Sequence, residues 1–197
     1  MDDFEYLIAL VSVIAGLGIT RALSGSARLI NARREIVFSW IPVCWTVSVL
    51  LWMVAFWWFT FLLSSLEDWS PWLHVFVLIY ASAIFFLLAV LHPESIEPGY
   101  GMLEHFLENR KVFFGALSAV AVIDVADTLI KLKLKLSLPA IESYTPFMIL
   151  WLGLSTACMV SANRTLHKVA AITFLVAVIA WLSFSIGDIF AMVNRES

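Results

Sequence analysis

The chain has 197 residues, 62% of them hydrophobic and only 14% charged, with a mean hydropathy of +0.95. A soluble domain of this length cannot hide that much apolar surface, so the composition excludes one. The net charge of −3, with basic residues in small groups at segment ends, gives no footing for nucleic acid. No Asp, Glu, Lys or Arg lies between Glu35 and Glu67, or between Glu142 and Arg164. A bilayer core of ~30 Å needs ~20 apolar residues per helical span, and the chain holds six runs of that length. The expected fold is therefore all-α: an integral membrane bundle of six transmembrane helices, in one transmembrane domain over residues 1–197.

The opening residues Met1 to Tyr6 are acidic where a cleavable signal peptide is basic, so no such peptide is expected. The first span runs from about Phe4 to Leu23 and continues as one helix to Ile30, with Arg21 and Arg28 snorkelling to the interface. The second covers about Trp40 to Leu63 and the third about Trp72 to Leu91. The fourth covers about Val112 to Ile130, the fifth about Tyr144 to Ala162 and the sixth about Val169 to Val193. Ser70-Pro71, His92-Pro93, Glu97-Pro98-Gly99 and Thr145-Pro146 fall at or just outside span ends, where Pro does least damage.

Between spans three and four, Tyr100 to Lys111 separates Leu103, Phe106 and Leu107 from Glu104 and Glu108, which suits an interfacial helix. Between spans four and five, Lys131 to Leu138 alternates with period two. It reads either as a short outer strand or as a helix end with Leu in lipid and Lys among headgroups. Lys131, Lys133 and Lys135 are thus candidates for a lipid or partner surface. Arg21, Arg28, Arg33, Arg34, Arg110, Lys111, Arg164 and Lys168 share one side of the membrane. The other side has Lys131, Lys133, Lys135 and Arg195, with Asp2, Asp3, Glu67 and Asp68. The positive-inside rule then puts both termini outside, although the lysine cluster opposes it.

Ionisable residues inside spans are costly and are functional candidates by default. Asp124 and Asp127 lie in the outer half of span four, three residues apart and so on one helix face. Asp188 lies in the outer half of span six, while Glu5 and His74 open spans one and three at similar depth. Converging carboxylates have raised proton affinity, and hard cations prefer oxygen, so these five residues form a candidate proton or cation site. The structural alternative is that Asp127 pairs with Lys131 four residues on, that Asp124 belongs to a buried pair, and that Asp188 bonds a hydroxyl. Glu5, Ala9, Ser12, Gly16, Thr20, Ser24 and Arg28 form a small, polar stripe on span one. It suits close packing in the bundle interior, or a pathway with Arg21 or Arg28 as an anion or lipid contact at the inner mouth. Gly115 and Ala119 form a second small pair, also read as packing.

Trp40 and Trp72 mark span ends as an aromatic belt does. Phe56-Trp57-Trp58-Phe59 is denser than anchoring requires, and reads as lipid contact or a hydrophobic ligand groove. Cys44 and Cys158 sit in apolar runs and read as small hydrophobes. His74 and His92 are ~27 Å apart along one helix and cannot share a metal. His105 and His167 are placed in loops. Ser24-Gly25-Ser26 is a poor match to an intramembrane serine protease and lacks a His at its depth. No enzyme, metal or cofactor is expected.

The segment Phe4 to Ile30, with Phe56-Trp57-Trp58, resembles a group of small multi-pass bacterial membrane proteins of unknown function. The resemblance covers the first two spans and implies a bacterial inner membrane but no activity. Six short spans give a thin wall around a pathway, so a homo-oligomer is expected, a dimer by preference. Two functions from different classes follow: a channel or transporter for protons or small cations, or a non-transporting subunit that binds another membrane protein or lipid.

Overall fold

Apolar runs of 20 or more residues, closed by Pro or by polar caps, fold as helices, which pair their backbone N–H and C=O groups within the segment. The computed structural model describes residues 3–66, 69–93, 95–97 and 99–196, with side chains to residue 188. Asp2, Glu67, Asp68 and Pro98 lie outside the described residues, as does the side chain of Arg195.

The elements are α1 (Asp3–Asn31), α2 (Trp40–Thr60) with a 3-10 turn at Phe61–Ser65, and α3 (Pro71–Leu91). They continue with α4 (Met102–Glu108), α5 (Arg110–Lys133), α6 (Ile141–Val160) and α7 (Arg164–Glu196). The fold is all-α, and every one of these helices but α4 is long and apolar enough to cross a membrane. Their outer faces carry Val13, Leu17, Trp58, Ile79, Val122, Leu129, Ile149 and Val176, an apolar surface far beyond that of a water-soluble monomer.

Local signals set the ends. The Ser70 hydroxyl caps α3 by accepting from Trp72 N, with Pro71 in the first turn, where its missing N–H costs nothing. Pro146, expected at a span end, lies inside α6, within its first two turns. His167, expected in a loop, is buried in α7. Its Nε2 meets the Ser161 carbonyl at 2.9 Å, and its ring packs between Phe106 and Phe114.

The alternating Lys131–Leu138 segment forms no strand. Among the described residues the one β-type pairing is an isolated bridge between Val37 and Gly101. Instead α5 closes with Leu136 N donating to Lys131 O (3.0 Å) and Lys135 N to Leu132 O (2.9 Å). Lys135 takes the left-handed conformation (φ 59°) that this closure requires. Lys135 pays a steric penalty there that glycine does not. We expect Lys135→Gly to stabilise the protein by up to about 1 kcal/mol in thermal unfolding.

Helix neighbours α2, α3, α5, α6 and α7 form a closed circuit, and α1 lies outside it against α2 and α3. Rings fill the centre. Trp45 lies 5.1 Å from Phe114 and 5.0 Å from Phe174, and Trp52 lies 4.6 Å from Trp151. The Trp151 indole also donates to Leu117 O (3.1 Å), tying α6 to α5.

The position of α1 corrects the expectation for its small stripe. Gly16, Thr20 and Ser24 are exposed and Ser12 accepts from Trp57 of α2, while α1 buries Phe4, Leu7, Val11, Ala15, Gly18, Ala22 and Gly25. Small residues on this face let the α1 backbone approach α3 closely. A Cβ on Gly25 would sit 2.8 Å from His92 Cβ and overlap its ring. Gly25→Ala is therefore expected to cost about 1–3 kcal/mol in detergent unfolding.

Arg21 and Arg28, expected at an inner mouth, reach the C-terminal end of α3. Their guanidinium groups donate to His92 O (3.0 Å) and Pro93 O (3.1 Å). These carbonyls end α3, where the helix dipole favours cations. Burial of His92 pushes its pKa below the ordinary 6.5, and the nearby Arg21 and Arg28 charges push the same way, against the Leu88 carbonyl bond. A depressed histidine favours the neutral folded form. Its contribution to stability is full above about pH 6.5 and is lost as pH falls from there. Unfolding midpoints taken from about pH 8 to pH 5 should fall for wild type more steeply than for His92→Gln.

Candidate functional site

On α5, a helical period puts Asp124, Asp127 and Lys131 on the same buried face as Phe113, Leu117 and Val120. That face turns into the helix circuit at the end where the chain begins. Asp124 is 8% exposed, Asp127 7% and Lys131 4%.

Three polar groups converge on Asp124. The Tyr80 hydroxyl of α3 donates to Asp124 Oδ1 (2.5 Å), and the Tyr144 hydroxyl of α6 donates to Asp124 Oδ2 (2.8 Å). Behind Tyr80, the Trp52 indole of α2 donates to the Tyr80 oxygen (3.0 Å). One carboxylate thus gathers hydroxyls from two other helices and, through Tyr80, an indole from a third. One turn on, Lys131 Nζ donates to Asp127 Oδ2 (2.6 Å), a buried ion pair. Among the described residues lining the site, the one ammonium, Lys131, pairs with Asp127, and Asp124 is met by hydroxyl donors.

A cavity of about 40 Å³ opens between these groups. Asp124, Asp127, Thr128 and Lys131 form its polar wall, and Trp52, Phe56, Phe59, Tyr80, Tyr144 and Trp181 its aromatic one. Leu138 and Pro139 from the α5–α6 connection, with Ile141 at the start of α6, line one side.

Asp188 stands at that connection, outside the cavity. Its Oδ2 accepts from Ala140 N (2.7 Å). Ala140 has a left-handed backbone (φ 54°), and the carboxylate holds it. We expect Asp188→Ala to loosen the connection by about 1–3 kcal/mol, read as faster hydrogen exchange at residues 134–141.

Glu5 and His74 are not brought to the cavity. Glu5 is exposed on α1, outside the circuit. His74 Nδ1 lies 3.2 Å from Ser70 O, and its ring packs on Trp69. Of the three lysines read as a surface, Lys133 and Lys135 are exposed while Lys131 turns inward to Asp127. The Phe56–Phe59 run divides: Phe56 and Phe59 line the cavity, Trp57 donates to Ser12 (3.0 Å), and Trp58 faces outward. Gly115 is half-buried and Ala119 exposed, so that pair does not form a tight helix contact.

Sequence reasoning missed Trp52, Tyr80, Thr128, Tyr144 and Trp181. A usable signal existed for two of them. Belt aromatics sit at span ends, whereas Trp52 and Tyr80 fall near the middle of theirs. Comparison with protein-family models, with curated proteins and with solved structures finds no match, so the resemblance carried by Phe4 to Ile30 rests on those residues alone.

Proposed function

We propose that the chain is an integral membrane protein that carries protons or small monovalent cations by way of Asp124. The observation that supports this is a carboxylate 8% exposed, at a cavity, with two tyrosine hydroxyls and no ion-pair partner among the described residues, beside a paired Asp127 and Lys131. Such a group trades a proton or a cation against its hydrogen-bond donors at small energetic cost. Past Trp52 the centre of the circuit is filled by Trp45, Phe113, Phe114, Trp151 and Phe174. Passage thus calls for a carrier whose helices rearrange around the site, in the manner of alternating access, rather than a standing pore. On this reading the membrane is a bacterial inner membrane, both termini lie outside and the chain works as a homodimer.

The test is flux into proteoliposomes driven by a proton or cation gradient, with a pH-sensitive dye inside. Saturable flux supports a carrier. No flux from a folded wild-type protein rejects it, and leaves the non-transporting subunit, with Lys133 and Lys135 as its exposed basic contacts.

A further inference from the structure

The α5–α6 connection runs from Leu134 to Ala140, and its course is set at its two ends. At the first, Leu136 N donates to Lys131 O, and Lys135 is left-handed (φ 59°). At the second, Ala140 is left-handed too (φ 54°) and leads into α6 with no side chain able to cap it. Left-handed backbone is costly for a residue with a Cβ, and neither position is glycine. Between them Ser137 and Leu138 make no hydrogen bond among the described residues, and Pro139 has no N–H to give. Pro139 and Ala140 are buried and Leu138 is half-buried, while Lys135 and Ser137 are exposed. Leu138 and Pro139 line the cavity that holds Asp124.

What holds the second end comes from α7. Asp188 Oδ2 accepts from Ala140 N at 2.7 Å. Among the described residues this is the one hydrogen bond that ties the connection to a helix other than α5 and α6. The Asp188 side chain is itself exposed, so water competes for its carboxylate. A strained turn is thus anchored at the cavity by a single contact from a different helix.

We propose that residues 134–140 form a lid on the Asp124 cavity and that Asp188 is its latch. With the latch made, Ala140 is held left-handed and Leu138 and Pro139 sit on the cavity. With it released, Ala140 relaxes to negative φ and carries the two residues before it away. The test is thiol labelling of Ala55→Cys by a small methanethiosulfonate, in purified protein in detergent. Ala55 is 3% exposed and lines the cavity, whose volume of about 40 Å³ admits water but not the reagent. Thr128→Cys, on the α5 wall of the cavity, is the second probe and should respond alike. Native Cys158, buried on α6 and not part of the cavity wall, is the internal control, with each cysteine read separately by mass spectrometry. Adding Asp188→Ala should speed labelling at position 55 at least tenfold and leave Cys158 unchanged. Asp188→Asn keeps an oxygen to accept from Ala140 N, and labelling should stay within about threefold of that with Asp188 intact. Unchanged labelling with Asp188→Ala overturns the lid. Equal acceleration at Cys158 also overturns it, since that marks general loosening, and Asn releasing as fully as Ala overturns the latch. Labelling reads access alone, so the lid does not rest on the carrier reading, and failure of either leaves the other standing.

Discussion

Replacing Asp124 by Asn is expected to abolish gradient-driven flux while the bundle stays folded. Asn has nearly the same shape as Asp and keeps one oxygen to accept from Tyr80. Its amide can donate to the Tyr144 oxygen, since a phenol accepts as well as donates. The charge alone is lost, and with it the proton or cation that answers it. Flux should fall by at least tenfold. The unfolding midpoint should stay or rise, because an ion-pair-free carboxylate is expensive to bury. Tyr144→Phe is the graded companion, since it removes one donor to the carboxylate and leaves the charge. It should slow flux without ending it, and cost about 1–3 kcal/mol through the unmet acceptor. Wild-type flux in a folded Asp124→Asn protein would remove Asp124 from the pathway.

The largest stability effect belongs to Lys131. Its side chain is 5% exposed and that of Asp127 10%, and their charged atoms meet at 2.6 Å. On an exposed helix such an i,i+4 pair is worth a few tenths of a kcal/mol. Burial changes the outcome, because cutting Lys131 back to Met strands the Asp127 carboxylate in the packed end of the circuit. The expected loss is about 3–5 kcal/mol in denaturant unfolding. The double variant Lys131→Met with Asp127→Leu should recover most of it, since a well-packed apolar pair replaces an ion pair at little cost. The Arg164–Glu104 bridge is the internal contrast. Its side chains are 64% and 51% exposed, so Arg164→Ala should cost under about 1 kcal/mol. Equal effects from the two lysine and arginine variants would contradict the role given to burial.

The partition between what local chain chemistry announces and what it hides is visible at particular residues. Asp124 and Asp127 were legible because a carboxylate inside an apolar run is rare and costly wherever it faces. Their grouping with Glu5, His74 and Asp188 was argued from depth, and depth alone does not make neighbours. Glu5 rides on α1, which packs outside the helix circuit, and Asp188 caps a loop. The alternation Lys131-Leu-Lys133-Leu-Lys135 suggested period two, but the preceding turns had already set a 3.6-residue period. That period carried Lys131 inward and left Lys133 outside, while Lys135 lies past the helix end in the left-handed turn that closes α5.

By itself the sequence determined the number of long apolar helices, their approximate ends and the place of each polar group along its helix. These are one-dimensional quantities, set by run length, by capping residues and by 1.5 Å of rise per residue. Only the tertiary structure decided which helix faces meet. It closed α2, α3, α5, α6 and α7 around an aromatic centre and put α1 outside. It joined Tyr80, Tyr144 and Trp52 to Asp124 across 20 to 44 residues of chain between direct partners. It also left Gly16, Thr20 and Ser24 of the α1 stripe exposed and set Ser12 against Trp57 of α2. In a bilayer both faces of a helix meet apolar surroundings, so hydrophobicity does not mark the inward face. Rotation about the helix axis is settled by side-chain packing and by polar groups that must find donors, and those partners lie on other helices.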